Sequence, residues 1–271
     1  MFYIGNSIIK GTEIAPLTDQ RITGENGEVY ELFRVEDGKP LFLDEHLDRF
    51  VKSIIDMDRV LPEAFGKLPE LIDWLILVNG LRNCNVRLCL SPDGLFQGGF
   101  VPSEYPSPKM YTDGVRCIVL QAIRRQPTAK VYHAEMRKEA ELQQERQGVY
   151  ESILINNSRM VTEGSRSNLF FVKGDTLYTA PDDKVLGGIV RKKLIELSER
   201  NNIKIEFSTI MVDDLVEYEA AFITSTPARI LPISAILGVK NAKYDVQNTV
   251  MRRVMDLMEE EVRRSKGVNM K

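Results

Sequence analysis

A lysine and a glutamate have the sequence setting most suggestive of chemistry in this chain. Lys130 precedes a segment with a helical pattern, Ala134–Gln147, and Glu163 follows an apolar, strand-like run, Ser152–Ile155. A lysine that is partly removed from water offers a neutral amine, which can form a Schiff base with a carbonyl group. A carboxylate can pair with the protonated ring nitrogen of a cofactor. An isolated lysine is most often a solvated charge, so this assignment depends on what else the chain supplies.

Three further segments have the chemistry of a phosphate site. Gly187-Gly188-Ile189-Val190-Arg191 opens a predicted helix, and the N–H groups at a helix N-terminus bind anions. Thr224-Ser225-Thr226 offers hydroxyl and backbone donors after a buried type of strand. Arg49 offers a planar guanidinium with a permanent charge. Each segment alone is weak evidence, but together with Lys130 and Glu163 they favour a cofactor that carries a phosphate.

The composition narrows the class of protein. The 271 residues carry 36 Lys and Arg against 39 Asp and Glu, a formal net charge of −3, so no basic excess favours nucleic acid or a membrane surface. Two histidines and three cysteines without CxxC spacing suggest neither a metal site nor a disulfide framework. The sequence has no apolar run long enough to span a membrane and no secretory leader pattern. We therefore expect a soluble, cytoplasmic protein.

The pattern of elements predicts a mixed α/β chain, of the α+β class, in two halves. The segment Val101–Gly114 contains Pro102, Pro106 and Pro108 and is predicted to be an irregular interdomain linker. This gives an N-terminal domain of residues 1–114 and a C-terminal domain of residues 115–271. Apolar spacing predicts helices at Pro69–Val78, Ala134–Gln147, Ile189–Arg200 and about Val246–Arg264, the first of them burying Leu71, Trp74, Leu75 and Val78.

The segment Thr162-Glu163-Gly164-Ser165-Arg166-Ser167-Asn168-Leu169-Phe170 resembles, almost residue for residue, the signature of the class IV aminotransferases, the fold-type IV pyridoxal-phosphate enzymes. The resemblance extends over roughly Phe33 to Ile233 and implies a two-domain fold-type IV architecture and a homodimer. It also implies that pyridoxal 5′-phosphate is attached to Lys130, the catalytic residue. The residues that it implies hold this cofactor are Arg49, Lys130, Glu163, Leu186, Ile189, Val190, Ser225 and Thr226.

The substrate is less closely defined by the resemblance. Val29-Tyr30-Glu31 is similar to the corresponding strand of D-amino-acid aminotransferases. The bacillary members of that group bind the substrate carboxylate with an Arg-x-His pair, where this chain has Ser91-Pro92-Asp93. Arg87 and Arg166 are the candidate replacements, and Tyr30 is the third predicted substrate contact. Pro227 lacks the N–H group that several relatives use for the carboxylate, which weakens a branched-chain assignment.

We therefore expect a transaminase that exchanges an amino group between an amino acid, with D-amino acids favoured, and a 2-oxo acid. Two alternatives within the same family are an aminodeoxychorismate lyase, which eliminates pyruvate, and an L-branched-chain aminotransferase. A non-catalytic homologue is the alternative from a different class, but the combined presence of Lys130, Glu163 and Arg49 argues against it.

Overall fold

The computed structural model describes residues 3–18, 24–240 and 242–267, and the chain forms two compact units. Unit 1 comprises residues 1–104 together with 129–134, and unit 2 comprises 105–128 together with 135–271. The division from sequence had placed the boundary at residue 114 and Lys130 in the second domain. By its contacts, the segment that carries Lys130 instead groups with unit 1.

Unit 1 contains six strands and two α-helices. The elements are β1 (Ile4–Lys10), β2 (Glu13–Pro16), β3 (Val29–Glu36), β4 (Lys39–Pro40), α1 (Leu43–Asp56), α2 (Leu68–Asn79), β5 (Cys84–Leu90) and β6 (Phe96–Val101). The strands form one antiparallel sheet in the order β2-β1-β6-β5-β3-β4. Helices α1 and α2 bury their apolar residues in one core with this sheet, including Phe33, Phe50, Ile72 and Phe100.

A tight turn connects β3 to β4 and so sets the approach to α1. Asp37 and Gly38 both have positive φ, 57° and 81°. This is the geometry of the two-residue hairpin turn that Asp-Gly favours. The turn places β3, which carries Tyr30 and Glu31, next to the helix that carries His46 and Arg49.

Unit 2 is built on a mixed sheet of nine strands. The elements are α3 (Pro108–Asp113), β7 (Val115–Gln121), α4 (Ala134–Gln147), β8 (Glu151–Ile155), β9 (Met160–Gly164), β10 (Asn168–Lys173), β11 (Thr176–Thr179), α5 (Ile189–Arg200), β12 (Lys204–Phe207), β13 (Ile210–Met211), β14 (Ala220–Ser225), β15 (Arg229–Leu237) and α6 (Thr249–Ser265). The strand order is β12-β11-β10-β14-β15-β7-β8-β9-β13. Helices α5 and α6 pack over the sheet around a stacked aromatic pair, Phe170 and Phe222.

Two predictions about local structure were wrong. The predicted linker contains a short helix, Pro108–Asp113, in which Pro108 takes a first-turn position that needs no N–H donor. Helix α2 exposes 59% of Trp74 and 44% of Val78, so its buried face is formed by Leu68, Leu71, Ile72 and Leu75. Within the ranges that the structure describes, no helix combines the length and the apolar character needed to cross a membrane.

Candidate functional site

The predicted site residues are distributed over both units. Unit 1 carries Tyr30, Arg49, Arg87 and Lys130, and unit 2 carries the rest: Glu163, Arg166, Leu186, Ile189, Val190, Ser225 and Thr226.

The backbone around Lys130 is fixed to unit 1 by hydrogen bonds. Its C=O accepts from Tyr30 N–H at 3.1 Å, and its N–H donates to Ser53 Oγ at 3.0 Å. An isolated β-bridge joins Val131 to Val29. The side chain extends to the ring of Tyr30, with Nζ 5.0 Å from the ring centroid. The amine therefore stands on a backbone that is held on both sides, and next to a predicted substrate contact.

A buried carboxylate, Glu31, organises the charges close to Lys130. Arg49 donates to it from Nε at 2.9 Å and from Nη2 at 2.6 Å, and His46 Nδ1 lies 3.0 Å from Oε1. Burial opposes ionisation, but the charges of Arg49, His46 and Lys130 outweigh it and lower the pKa of the Glu31 carboxyl well below its usual range. Burial in turn lowers the pKa of His46 below its ordinary value, against the attraction of Glu31.

Arg87 is a buried arginine that already has a carboxylate partner. Its guanidinium is paired with Glu28 and lies over the ring of Tyr30, 4.2 Å from the centroid. Burial alone would lower the pKa of Arg87, but the adjacent Glu28 carboxylate raises it above its ordinary value. The guanidinium is therefore held as a cation within unit 1 by Glu28.

In unit 2, Glu163 at the end of β9 is buried and fixed by three groups. Arg124 Nη1 donates to Oε1 at 3.0 Å, the Leu186 N–H donates to Oε2 at 3.0 Å, and Asn168 Nδ2 lies 3.4 Å from Oε2. The strand therefore presents a carboxylate whose orientation is fixed by hydrogen bonds to both of its oxygens. This is a property required of a partner for a protonated ring nitrogen.

Asn168 connects this carboxylate to the start of helix α5. Its Nδ2 also donates to Leu186 C=O at 2.8 Å, and a Cβ built on Gly188 would overlap Asn168 Oδ1. Gly188 is the N-cap of α5 and has no side chain with which to accept from the first-turn N–H groups. The helix therefore begins with Ile189 and Val190 at a terminus that is suited to an anion.

Arg191 does not contribute its charge to that helix terminus. Its Nη1 donates to Asp182 Oδ1, and its Nη2 donates to Ala180 C=O at 2.8 Å. The side chain is buried and so anchors the loop that leads into Leu186, Gly187 and Gly188. Arg191 therefore fixes the geometry of this loop.

The hydroxyl-rich end of β14 and the turn after it show whether a ligand fits here. Thr224 is 2% exposed, and its Oγ1 has no hydrogen-bond partner among residues 3–18, 24–240 and 242–267. A buried hydroxyl without a partner is uncommon in a native structure and often indicates a bound water or ligand. It stands beside Ser225, whose Oγ accepts from Ala228 N–H at 3.3 Å, and beside Thr226. These donors fit the phosphate that the sequence predicts.

A second buried carboxylate, Glu151, organises the segment that follows Glu163. The hydroxyls of Ser165 and Ser167 donate to it at 2.6 and 2.9 Å, and the Arg166 N–H donates at 3.2 Å. Gln144 Nε2 lies 3.3 Å from Glu151 Oε1, and Gln144 Oε1 accepts from Arg166 Nη2 at 3.1 Å. The segment is thus tied to β8 and to α4, while the Arg166 side chain itself is exposed.

The comparisons with known proteins decide the family. The model of the family described as "Amino-transferase class IV" matches residues 28–236, which is most of the chain. The chain belongs to the class IV aminotransferases. The resemblance noted in the sequence is confirmed.

Several curated relatives support this membership. A D-alanine aminotransferase of Bacillus licheniformis is 28% identical over 82% of this chain and 87% of that protein. A putative branched-chain-amino-acid aminotransferase of Methanocaldococcus jannaschii is 28% identical, with 78% of each covered. An aminodeoxychorismate lyase of Bacillus subtilis is 25% identical, with 77% of each covered. The relatives therefore include all three activities considered above.

The solved structures confirm the predicted fold class. The branched-chain aminotransferase of the archaeon Thermoproteus uzoniensis, crystallised with norvaline, superposes with a TM-score of 0.82 over 98% of this chain and 96% of that one, at 20% identity. The mixed α/β, fold-type IV architecture is confirmed by this match. Members of this family use pyridoxal 5′-phosphate, so the cofactor prediction is also confirmed at the level of the family.

Sequence reasoning missed several residues that support the candidate site. Arg124, Asn168 and Glu151 hold Glu163 or the segment after it. Asn168 was within the quoted signature, and an acidic residue heading the apolar strand Ser152–Ile155 was a signal that could have pointed to Glu151. Arg124 gave no such signal, because its neighbour Arg125 is chemically identical and only the fold distinguishes them.

Proposed function

We propose that this chain is a pyridoxal-phosphate-dependent transaminase that moves an amino group between an amino acid, preferably a D-amino acid, and a 2-oxo acid. The observation that supports this most strongly is the setting of Glu163. It is a buried carboxylate held by Arg124 and Leu186 N–H, and Asn168 connects it to a glycine-capped helix. A non-catalytic homologue would have no use for this arrangement.

Each predicted residue has a defined part in the proposal. Bound pyridoxal 5′-phosphate would supply the carbonyl that takes up the amino group and the ring that withdraws electrons from the substrate Cα. Lys130 would give the amine for covalent attachment and then move the proton at the substrate Cα. Glu163 would pair with the ring nitrogen, and Leu186 would pack against the ring. The phosphate would be held by Arg49, by the first-turn N–H groups of Ile189 and Val190, and by Ser225 and Thr226.

The charged groups close to Lys130 are held in fixed positions. Arg49 and His46 lie around the same buried carboxylate as Lys130, and their bonds to Glu31 fix them there. This suits a lysine that must keep a defined position relative to the cofactor.

The substrate side of the proposal rests on Tyr30 and on two candidate receptors for the substrate carboxylate, Arg87 and Arg166. Val29-Tyr30-Glu31 and the similarity to a D-alanine aminotransferase favour D-amino acids. Pro227 makes an L-branched-chain substrate the weaker alternative, and the similarity to an aminodeoxychorismate lyase keeps pyruvate elimination as the second candidate. As in the family, we infer a homodimer, and the composition favours the cytoplasm.

Turnover assays with defined donors test the proposal. D-alanine, D-glutamate and L-leucine would each be supplied with 2-oxoglutarate or pyruvate, and aminodeoxychorismate would be assayed separately for release of pyruvate. We expect the D-amino acids to be converted fastest. Faster conversion of L-leucine would reverse the stereochemical assignment, and pyruvate release without any transamination would establish the lyase instead.

The Lys130→Ala variant gives the matching chemical test. Turnover should fall to background, and borohydride should no longer fix the cofactor to the chain, as read by mass spectrometry. Lys138→Ala, which changes an exposed lysine of helix α4, is the control and should behave like the parent protein. If Lys130→Ala kept its turnover, Lys130 would not be the catalytic lysine.

A further inference from the structure

The two candidate receptors for the substrate carboxylate are in different electrostatic states. Arg87 is 3% exposed and ion-paired with Glu28. Arg166 is exposed and, in the part of the chain that the structure describes, it forms no ion pair; its guanidinium contacts a neutral amide, Gln144. A carboxylate that arrived at Arg87 would have to share its charge with Glu28. At Arg166 the full charge is available to a ligand.

An exposed arginine is normally mobile, and ordering its side chain on binding opposes affinity. Arg166 is restrained at both ends. Its backbone N–H donates to Glu151 Oε2 at 3.2 Å, and its Nη2 donates to Gln144 Oε1 at 3.1 Å. The single bond to Gln144 uses one of the five N–H groups of a guanidinium. The bond therefore orders the Arg166 guanidinium and leaves most of its N–H donors available to an anion.

The chemistry of Glu151 fixes which way the Gln144 amide points. A carboxylate can only accept hydrogen bonds, so Nε2 of Gln144 must be the atom that faces Glu151, at 3.3 Å. The same Nε2 lies 3.2 Å from Ser152 Oγ and 3.3 Å from Ser165 Oγ. The carbonyl oxygen of the amide is thereby left for Arg166. Gln144 is 7% exposed, so this orientation is sheltered from competing water.

We propose that Gln144 is a positioning residue for substrate binding: with Glu151 behind it, it holds Arg166 as a preorganised receptor for the substrate carboxylate, while the buried, Glu28-paired Arg87 does not take that carboxylate. This inference rests on the proposed function and adds to it a specificity-determining contact. It also explains why the partner of Arg166 is a glutamine. A glutamate at this position would neutralise the guanidinium and would repel Glu151.

The test uses the cofactor-loaded protein and three variants, Arg166→Met, Gln144→Met and the double variant. Gln143→Met is the matched control, since Gln143 is the adjacent glutamine and bonds to Glu139 at the surface. Three quantities would be measured: KM and kcat for the best amino acid, the inhibition constant of propionate, and the dissociation constant of pyridoxal 5′-phosphate. Propionate has the carbon skeleton of alanine without the amine, so it reports carboxylate binding without chemistry.

We expect Arg166→Met to raise KM and the propionate constant about tenfold or more, the effect of losing a charged hydrogen bond, with kcat little changed. Gln144→Met should raise both constants about threefold to tenfold. The double variant should match Arg166→Met alone, because Gln144 acts through Arg166. Cofactor affinity should stay at the parent value in every variant, which a general collapse of the segment would not allow.

Three results would overturn the inference. They are unchanged constants in Gln144→Met, effects of the two substitutions that multiply in the double variant, or a parallel loss of cofactor affinity. Failure of the proposed function is recognised separately, because the parent protein would then convert no amino acid. In that case the role of Gln144 can still be tested by propionate binding to the cofactor-loaded parent and variants, measured through the change in cofactor absorbance.

Discussion

Two buried carboxylates, Glu31 in unit 1 and Glu151 in unit 2, are each the centre of a hydrogen-bond cluster, but their partners differ in kind. Glu31 is surrounded by groups that carry or can carry positive charge, Arg49 and His46. Glu151 is bound by neutral donors, which are two serine hydroxyls, an amide and backbone N–H groups. The first cluster compensates charge, whereas the second fixes the course of the backbone.

The comparison indicates what each cluster does for the proposed site. The ion pair in unit 1 orients Arg49 and offsets its charge next to Lys130. In unit 2, the charge of Glu151 is dispersed over several weak dipoles. Arg166 can therefore lie in the same cluster without being neutralised.

The largest expected effect concerns Glu31. Glu31→Leu removes the acceptor of two Arg49 bonds from a buried position and should lower the free energy of unfolding by about 3–5 kcal/mol. Glu31→Gln should cost nearly as much, because it also leaves the cation without its counter-charge. Urea denaturation measures both losses. Glu217→Leu, which breaks an exposed pair with Lys173, is the control and should change the free energy of unfolding far less than either Glu31 variant. If Glu31→Gln lowered the free energy of unfolding much less than Glu31→Leu, the proposed distinction between the two clusters would be wrong.

Glu151 should respond differently to the same pair of substitutions. Glu151→Leu deprives Ser165, Ser167 and the Arg166 N–H of their acceptor and should cost about 2–4 kcal/mol. Glu151→Gln keeps one acceptor, and no cation bonded to this carboxylate is left without its counter-charge, so we expect about half of that loss. Equal losses for the two Glu151 variants, measured by the same urea titration, would mean that the charge matters as much here as at Glu31.

The smallest expected effect is the pH dependence from His46. Burial lowers the pKa of His46 from the ordinary value of 6.5, in the presence of the charges of Glu31, Arg49 and Lys130. The folded state therefore binds a proton at His46 less readily than the unfolded chain does. The contribution of neutral His46 to the free energy of unfolding is fully present above pH 6.5 and is lost as the pH falls through the pKa of the folded state.

Replacing His46 isolates this contribution. His46→Gln should flatten the dependence of the unfolding free energy on pH just below 6.5, as read from urea midpoints at a series of pH values. If the unfolding free energy of His46→Gln changed with pH as steeply as that of the parent protein, His46 would not contribute to the pH dependence.

The sequence predicted much of unit 2 and less of unit 1. The structure gives helices α4 and α5 the predicted bounds, Ala134–Gln147 and Ile189–Arg200, because glycines flank each helix at one end. Helix α2 is apolar on almost every side, so its pattern could not show that Trp74 would be exposed. The partners of Glu163 and Glu151 come from distant strands and loops, and only the tertiary fold brings them together.

The chain passes between the units twice within a few residues of Lys130, since residues 129–134 belong to unit 1 while 105–128 and 135–271 belong to unit 2. A single cut after residue 104 would therefore yield an N-terminal fragment without Lys130 and without Val131, the isolated-bridge partner of Val29. No single cut in this polypeptide separates the two units. A split protein for complementation, cut anywhere between residues 104 and 135, would carry part of one unit on the fragment that holds the other.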